Sequence, residues 1–516
     1  MVKGIENLKN LISIDSTVYL SQLIKKANNS KDEIDLLQEF IANHKNNVEI
    51  IIDIDFSTSK QLDLSECHDM KISCYPGTKI THDPVKNDPL FIINNAYNIT
   101  FKDIECHSTN HNSFLIGNEL LAYNIQIFNC KVYDVASLLM THKIHDIKVE
   151  NNYAYNSYGS TFAFLNNPYN VYVNNNVIDT GVNVQIKVYS TNTNVEHKSE
   201  NIIITNNHIS NVTQGTGEWD MAIGIEINEN SYNCIVSNNI VTSCKDMAIS
   251  LSGIHKVTCN GNIINGTSEE GYGTGIEIVS CSDWVCNNNS INKTKTYGII
   301  VDKSCEGIVD GNNIVMIKSI WDPEDFCILI GGEANPKNCH NIIVSNNKLK
   351  HGTYGIRFNE NIENVKINNN LFQEIQYRDI SCYSESDTIT KQNIFINSNT
   401  FNSEINFNTI ENLFINDNIF NFSNTENGTR SETGAIYIEK NSKFVNVVNN
   451  IINNCYYIVV FESDENNHIK ASNVRVLNNV IDYSGEVVNN ADNVPIEDFY
   501  VFGNIDSSNA SVTLNK

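Results

Sequence analysis

The sequence predicts an all-β chain wound as a single-stranded parallel β-helix, a solenoid with one helix covering its N-terminal end. Three observations point there: an asparagine that recurs at a nearly fixed period, three short apolar segments within each period, and no helix-length apolar face beyond the N-terminus. The repeat is plain in "ENIIITNNHISNV" at residues 200–212, and returns in "NCIVSNNIVTSC" from Asn233, "HNIIVSNNKLKH" from His340 and "ENVKINNNLFQE" from Glu363. Aligned on the second asparagine, the copies fall at Asn152, Asn176, Asn207, Asn239, Asn262, Asn289, Asn313, Asn347, Asn370, Asn399, Asn418, Asn450, Asn479 and Asn504. Their mean spacing is about 27 residues, inside the roughly 20–50 that marks a stacked repeat.

The elements follow in chain order. Ser30 to His44 pairs a Ser30–Glu33 capping box with apolar residues at 34, 37 and 41, an amphipathic helix suited to cover an open first turn. Residues 50–56 then open the sheets, so the expected division is 1–49 for the N-terminal segment and 50–516 for the β-helix. Each period holds a β-branched strand ahead of the asparagine, a short apolar pair after it, and a third strand that often opens on glycine. "GIEI" at Gly224 and at Gly275 is typical. Alternation of period two in three short segments describes strands. Successive turns stack about 4.8 Å apart, so equivalent asparagines meet in a ladder of side-chain hydrogen bonds, and asparagine tolerates the left-handed backbone of a tight bend.

Composition narrows the partners. Lys and Arg number 35 against 60 Asp and Glu, a formal charge of −25. Such a surface repels nucleic-acid phosphates and anionic membranes. No apolar run reaches membrane-spanning length, and the N-terminus lacks the apolar core of a signal peptide. The expected setting is therefore the cytoplasm, or, on the resemblance given below, a virion assembled inside a host. Of the 14 cysteines, Cys281, Cys305 and Cys339 take one position in consecutive turns, and Cys259 and Cys286 share another. Stacked inward thiols in a reduced protein fit better than disulfides. No CxxC pair has metal spacing, and the reading needs neither metal nor cofactor.

Irregular turns point to the chemistry. Asn239 to Ile249 and Asn289 to Ile299 each span ten residues, whereas Asn207 to Ile225 spans 18, Asn262 to Ile276 spans 14 and Asn313 to Ile328 spans 15. The loops at 211–222, 265–274 and 315–327 carry Trp219 and Asp220, Tyr272, and Trp321. Beside them, the middle residues of the third strands read Lys187, Glu226, Ser250, Glu277, Ile300, Leu329, Arg357 and Ser381, and the next outward positions include Tyr189, Asn228 and Asp302. Glu226 and Glu277 stand two turns apart on one strand face, roughly 9–10 Å at the backbone. Paired carboxyls at about 5 Å retain, and at roughly 6.5–9.5 Å invert, a cleaved glycosidic bond. Glu226 and Glu277 are the expected acid–base pair, with Asp220 and Asp302 as further candidates. Trp219, Tyr272, Trp321, Lys187, Tyr189, Asn228 and Arg357 are expected to hold substrate, aromatic rings stacking on sugar C–H faces. A lone outward glutamate ordinarily only solubilises a strand, and Trp284, at an inward position, reads as core.

The "NIxIxxNxI … GIxI" turns and the opening segment at residues 36–80 resemble the right-handed parallel β-helix superfamily of pectate lyases, polygalacturonase-type hydrolases, inulin fructotransferases and phage tailspike depolymerases. The resemblance implies right-handed coiling, matching the general preference of parallel crossovers, a poly- or oligosaccharide substrate, and often a homotrimer. The paired aspartates of polygalacturonases and the Asp-Pro-His motif of mannuronan epimerases are missing, so it transfers no named catalytic residue. Three classes stay open. One is a glycoside hydrolase or glycan-cleaving transferase using carboxylates. A polysaccharide lyase would use Lys187 or Tyr189 as base. The third is a non-catalytic glycan-binding spike.

Overall fold

The computed structural model describes residues 16–27, 32–84, 88–108, 112–190, 198–217, 220–266, 273–318, 325–331, 339–359, 361–382, 391–422, 434–439, 441–462, 471–481, 486–490 and 496–506. It falls into two compact units, residues 1–271 and 272–516. The same plan builds each: a right-handed parallel β-helix in which every coil adds one strand to each of three sheets.

In the first unit the strands ahead of the ladder asparagine pair in parallel, Tyr169–Asn174 with Ser199–Thr205, then Ser231–Ser237, then Ile254–Asn260. Those after it form a second sheet, from Val177–Val182 through His208–Thr213 and Ile240–Cys244 to Ile263–Asn265. The third sheet runs from Phe162–Leu165 through Ile186–Tyr189 and Ile223–Asn228 to Met247–Ser252. In the second unit the third sheet stacks Thr274–Val279, Tyr297–Asp302, Phe326–Ile330, Tyr354–Phe358, Arg378–Cys382, Glu404–Asn408 and Gly434–Glu439. Alternate residues of most described strands face inward, which makes a core of isoleucine, valine and phenylalanine.

Two residues share the work at each bend. The first takes positive φ, as Asn206 (57°), Asn238 (56°) and Asn346 (55°) do; the second carries the ladder. Asn207 donates from its backbone N–H and its Nδ2 to Asn239 Oδ1, both at 3.0 Å, and Nδ2 also reaches Val173 O at 3.1 Å. This division corrects one position. At residues 311–313, Gly311 takes the left-handed turn (φ 64°), so Asn312, not Asn313, joins the ladder between Asn289 and Asn347. Asn313 instead begins the next strand.

The cysteine register is corrected similarly. Cys305 pairs with Ser282 and His340 and is partly exposed, whereas Ser304 Oγ accepts from the Cys281 N–H at 3.0 Å. The other 13 cysteines are buried, and all 14 are thiols rather than disulfides. Burial pushes the Cys106 and Cys327 thiols up to about 12, which keeps them protonated and unreactive. Cys259 and Cys286 take equivalent places, each Sγ 3.4 Å from the Nδ2 of the ladder asparagine three residues on.

At the N-terminus, strand Ser16–Tyr19 pairs with Val48–Ile51 and leads into α1 (Leu20–Lys26) and α2 (Glu33–Asn43). Helix α2 buries Ile34, Leu36, Leu37 and Ile41. It is tied to the first coil by Gln38, which donates to Asp63 O (3.1 Å) and accepts from Asp63 N (2.8 Å). The N-cap is Asp32, without a side-chain cap bond; Ser30, expected in a capping box, lies outside the described residues. No helix among the described residues is long and apolar enough to cross a membrane.

The first unit also carries an aromatic ladder. His68, Tyr97, Tyr123, His145 and Tyr169 stack in sequence with centroids 4.5–5.0 Å apart. Since each inner ring spends its faces on its neighbours, the stack reads as structural. His145 Nδ1 bonds Asp146 Oδ2 at 2.6 Å; this bond, with the Asn170 amide, holds the Asp146 carboxyl below its usual range although burial opposes it. A depressed folded-state pKa contributes stability above the unfolded carboxyl value, near 3.9, that is lost as pH falls through the folded value. Asp146→Asn tolerates the positive φ of 54° and removes this titration. Urea midpoints measured from pH 6 down to pH 3 should therefore fall less steeply in Asp146→Asn than in the wild type.

Candidate functional site

The register places Glu226 as expected. On the outward face of the first unit's third sheet, Lys187 pairs with Glu226, Glu226 with Ser250, and Tyr189 with Asn228. Lys187 Nζ lies 3.7 Å from Glu226 Oε2 and 5.5 Å from the Tyr189 ring centroid. Asn228 Nδ2 donates to Glu226 Oε1 at 3.4 Å. Glu226 Oε2 is buried without a hydrogen bond, the lysine standing just too far to supply one. Burial raises the Glu226 pKa, against the pull of Lys187 and Asn228. The position of Lys187 is that of an ion-pair partner to this carboxyl.

Asp220 closes its own turn, its Oδ2 accepting from the Gly217 N–H at 2.8 Å. In the second unit Glu277 pairs with Ile300 and Val279 with Asp302, confirming their strand positions; Lys303 Nζ stands 3.5 Å from Asp302 Oδ2. Arg357 sits over the rings of Phe326 (5.6 Å) and Tyr354 (5.2 Å) and donates to Ser381 Oγ at 3.2 Å. Trp219, Tyr272 and Trp321 lie outside the described residues, so of the expected sugar-stacking side chains the structure places Tyr189 alone.

A denser cluster on the second unit's third sheet escaped the sequence reading. Phe326 and Tyr354 bury against Leu329, with Tyr297 and Ile300 packed on them. One strand further on, Tyr377 meets Tyr354 edge-on at 5.6 Å and Arg378 covers Tyr377 at 4.8 Å. Arg378 Nε then bonds Glu404 Oε1 at 2.8 Å, and its Nη1 lies 3.5 Å from Glu439 Oε1. Burial lifts the Glu404 pKa above the ordinary carboxylate range despite Arg378. The separating segments "RDISC", "EINFN" and "GAIYIE" do not read as "GIxI". A signal was present even so, since Arg378 and Glu404 begin successive strands.

No curated protein matches the sequence. Among solved structures the chain is similar to the Dettilon tailspike protein, at 14% identity over 71% of this chain and 68% of that one, with a TM-score of 0.42. It is similar to the catalytic unit of a GH87 alpha-1,3-glucanase from Streptomyces thermodiastaticus, at 12% identity over 96% and 69%, with a TM-score of 0.32. It is similar also to PfbA, a surface adhesin of Streptococcus pneumoniae, at 13% identity over 72% and 93%, with a TM-score of 0.37. Residues 195–315 match the family model described as the right handed beta helix region.

Proposed function

We propose that this chain binds a poly- or oligosaccharide and cleaves its glycosidic bonds, with Glu226 as general acid. The observation that carries the reading is the Glu226 carboxyl itself. It stands on an outward sheet face, with one oxygen buried and unbonded and its flanks formed by Lys187 and Asn228. A carboxyl whose pKa burial raises holds its proton to higher pH than an exposed one and can give it to a leaving glycosidic oxygen. A second, ionised carboxylate then activates water or attacks the anomeric carbon. Asp220 is the candidate in the same unit, and Glu277 and Asp302 of the second unit are replaced one at a time beside it.

The test is cleavage of a glycan panel by the wild type and by single Glu→Gln or Asp→Asn variants, read by the mass of the fragments. Glu226→Gln preserves shape and removes the titrating proton, so cleavage should fall at least about a hundredfold while the melting temperature barely moves. Wild-type cleavage should decline as pH rises through the raised Glu226 pKa, because the acid form is the active one. Unsaturated fragments would replace hydrolysis by β-elimination, and full activity in Glu226→Gln would remove the residue from the mechanism.

A further inference from the structure

We propose a saccharide-binding subsite on the outward face of the second unit's third sheet, built from Arg378, Glu404, Glu439, Asn406 and Tyr377. It rests on the reading of the chain as a glycan-active protein and adds a place that this reading does not use. Arg378 is the organising group: one guanidinium bonds Glu404 and lies beside Glu439, fixing both carboxylates on one surface. Asn406 Nδ2 donates to Glu439 Oε1 at 3.1 Å, which locks the amide and leaves its Oδ1 as the remaining acceptor.

That acceptor is what points to a ligand. Asn406 is 3% exposed and its Oδ1 has no hydrogen-bond partner; Asn408, the next residue on the same face of the strand, repeats the pattern at 3%. Buried acceptors in native proteins are nearly always satisfied, so the missing partners are donors. Three kinds of ligand donate or coordinate here: a metal cation, an ammonium, or a hydroxyl. Among the described residues no group of His, Cys, Asp or Glu could hold a metal ion, Arg378 already engages both carboxylates that would bind an ammonium, and two carboxylates repel any anion. Hydroxyls remain, and a neutral sugar offers several at fixed spacing together with a C–H face. Tyr377, 42% exposed beside the cluster, supplies an aromatic surface for that face.

The experiment is calorimetric titration of the full chain with short neutral gluco-, manno- and galacto-oligosaccharides, and separately with galacturonate oligomers. Tyr377→Ala removes an exposed ring, and Asn406→Leu removes the orphan acceptor at similar volume; thermal melts confirm that each variant folds. Affinity for at least one neutral oligosaccharide should fall about tenfold or more in both variants, the equivalent of about 1.4 kcal/mol. The two readings fail separately: cleavage that survives Glu226→Gln ends the catalytic assignment and leaves the subsite standing. The subsite is overturned if no neutral oligosaccharide binds, if both variants bind it unchanged, or if the uronate oligomer is preferred.

Discussion

Gly307→Ala should destabilise the second unit by about 3 kcal/mol or more, at the upper end of what overpacking a core costs. Gly307 pairs with Trp284 on neighbouring strands, and a Cβ added at Gly307 would lie 1.9 Å from Trp284 Cε2. No real contact is that short, and the indole has nowhere to go, being 1% exposed. The tryptophan thus uses the volume that the glycine vacates, and the two positions act as one packing unit. Trp284→Leu alone should also cost several kcal/mol, because it leaves a cavity where a large buried ring was. In the double variant the new methyl enters that cavity, so the two costs should sum to more than the measured loss. Urea unfolding followed by fluorescence and circular dichroism checks this. An additive double variant, or a Gly307→Ala protein with wild-type stability, would mean the pair is not coupled.

The inward place of Trp284 was legible because alternation decides which face a strand residue takes; its dependence on Gly307 was not, since nothing in the sequence says which residue lies one coil away. The same contrast runs through the molecule. Ladder asparagines repeat in identity, so they announce the coil, and Lys187, Glu226 and Ser250 stack as counting from them predicts. Where glycine takes over the left-handed residue, as at Gly311, counting asparagines slips by one. The His68–Tyr169 stack stayed hidden because histidine and tyrosine are mixed in it, and shape rather than identity recurs. Arg378, Glu404 and Glu439 stayed hidden for a different reason. The register between Arg378–Cys382 and Glu404–Asn408 shifts at Arg378 and Ile380, so strand counting misaligns there. A second ladder, Asn341, Asn364, Asn393 and Asn412, also runs through mid-strand residues of positive φ, where strand propensity gives no hint of a bend.

The largest effect in the ladder is expected at Asn347→Leu, which keeps the volume and deletes every side-chain polar contact. Asn347 Oδ1 accepts from the Asn312 N–H (2.9 Å) and from Asn312 Nδ2 (3.0 Å), while its Nδ2 donates to Val309 O and Asn370 Oδ1, both at 3.0 Å. All four bonds are buried, so water cannot replace them, and each buried group left short costs roughly 1–3 kcal/mol. With several groups orphaned at once, a loss of about 4 kcal/mol or more follows, among the largest for a single substitution. Asn347→Asp separates the halves of the amide. It keeps the acceptor but sets an oxygen against Val309 O and Asn370 Oδ1, so it too should fall well below the wild type. Asn346 provides the contrast, for it supplies the left-handed backbone (φ 55°) and only an exposed side-chain bond to Asp310. Asn346→Gly should stay within about 1 kcal/mol, as the natural glycines at 261 and 311 in the same role indicate. Amide exchange around residues 309–312 and 370 reads the damage locally, since a stacked repeat loses stability first between neighbouring coils. If Asn347→Leu unfolds at the wild-type midpoint with unchanged exchange there, the ladder is not what holds these coils together.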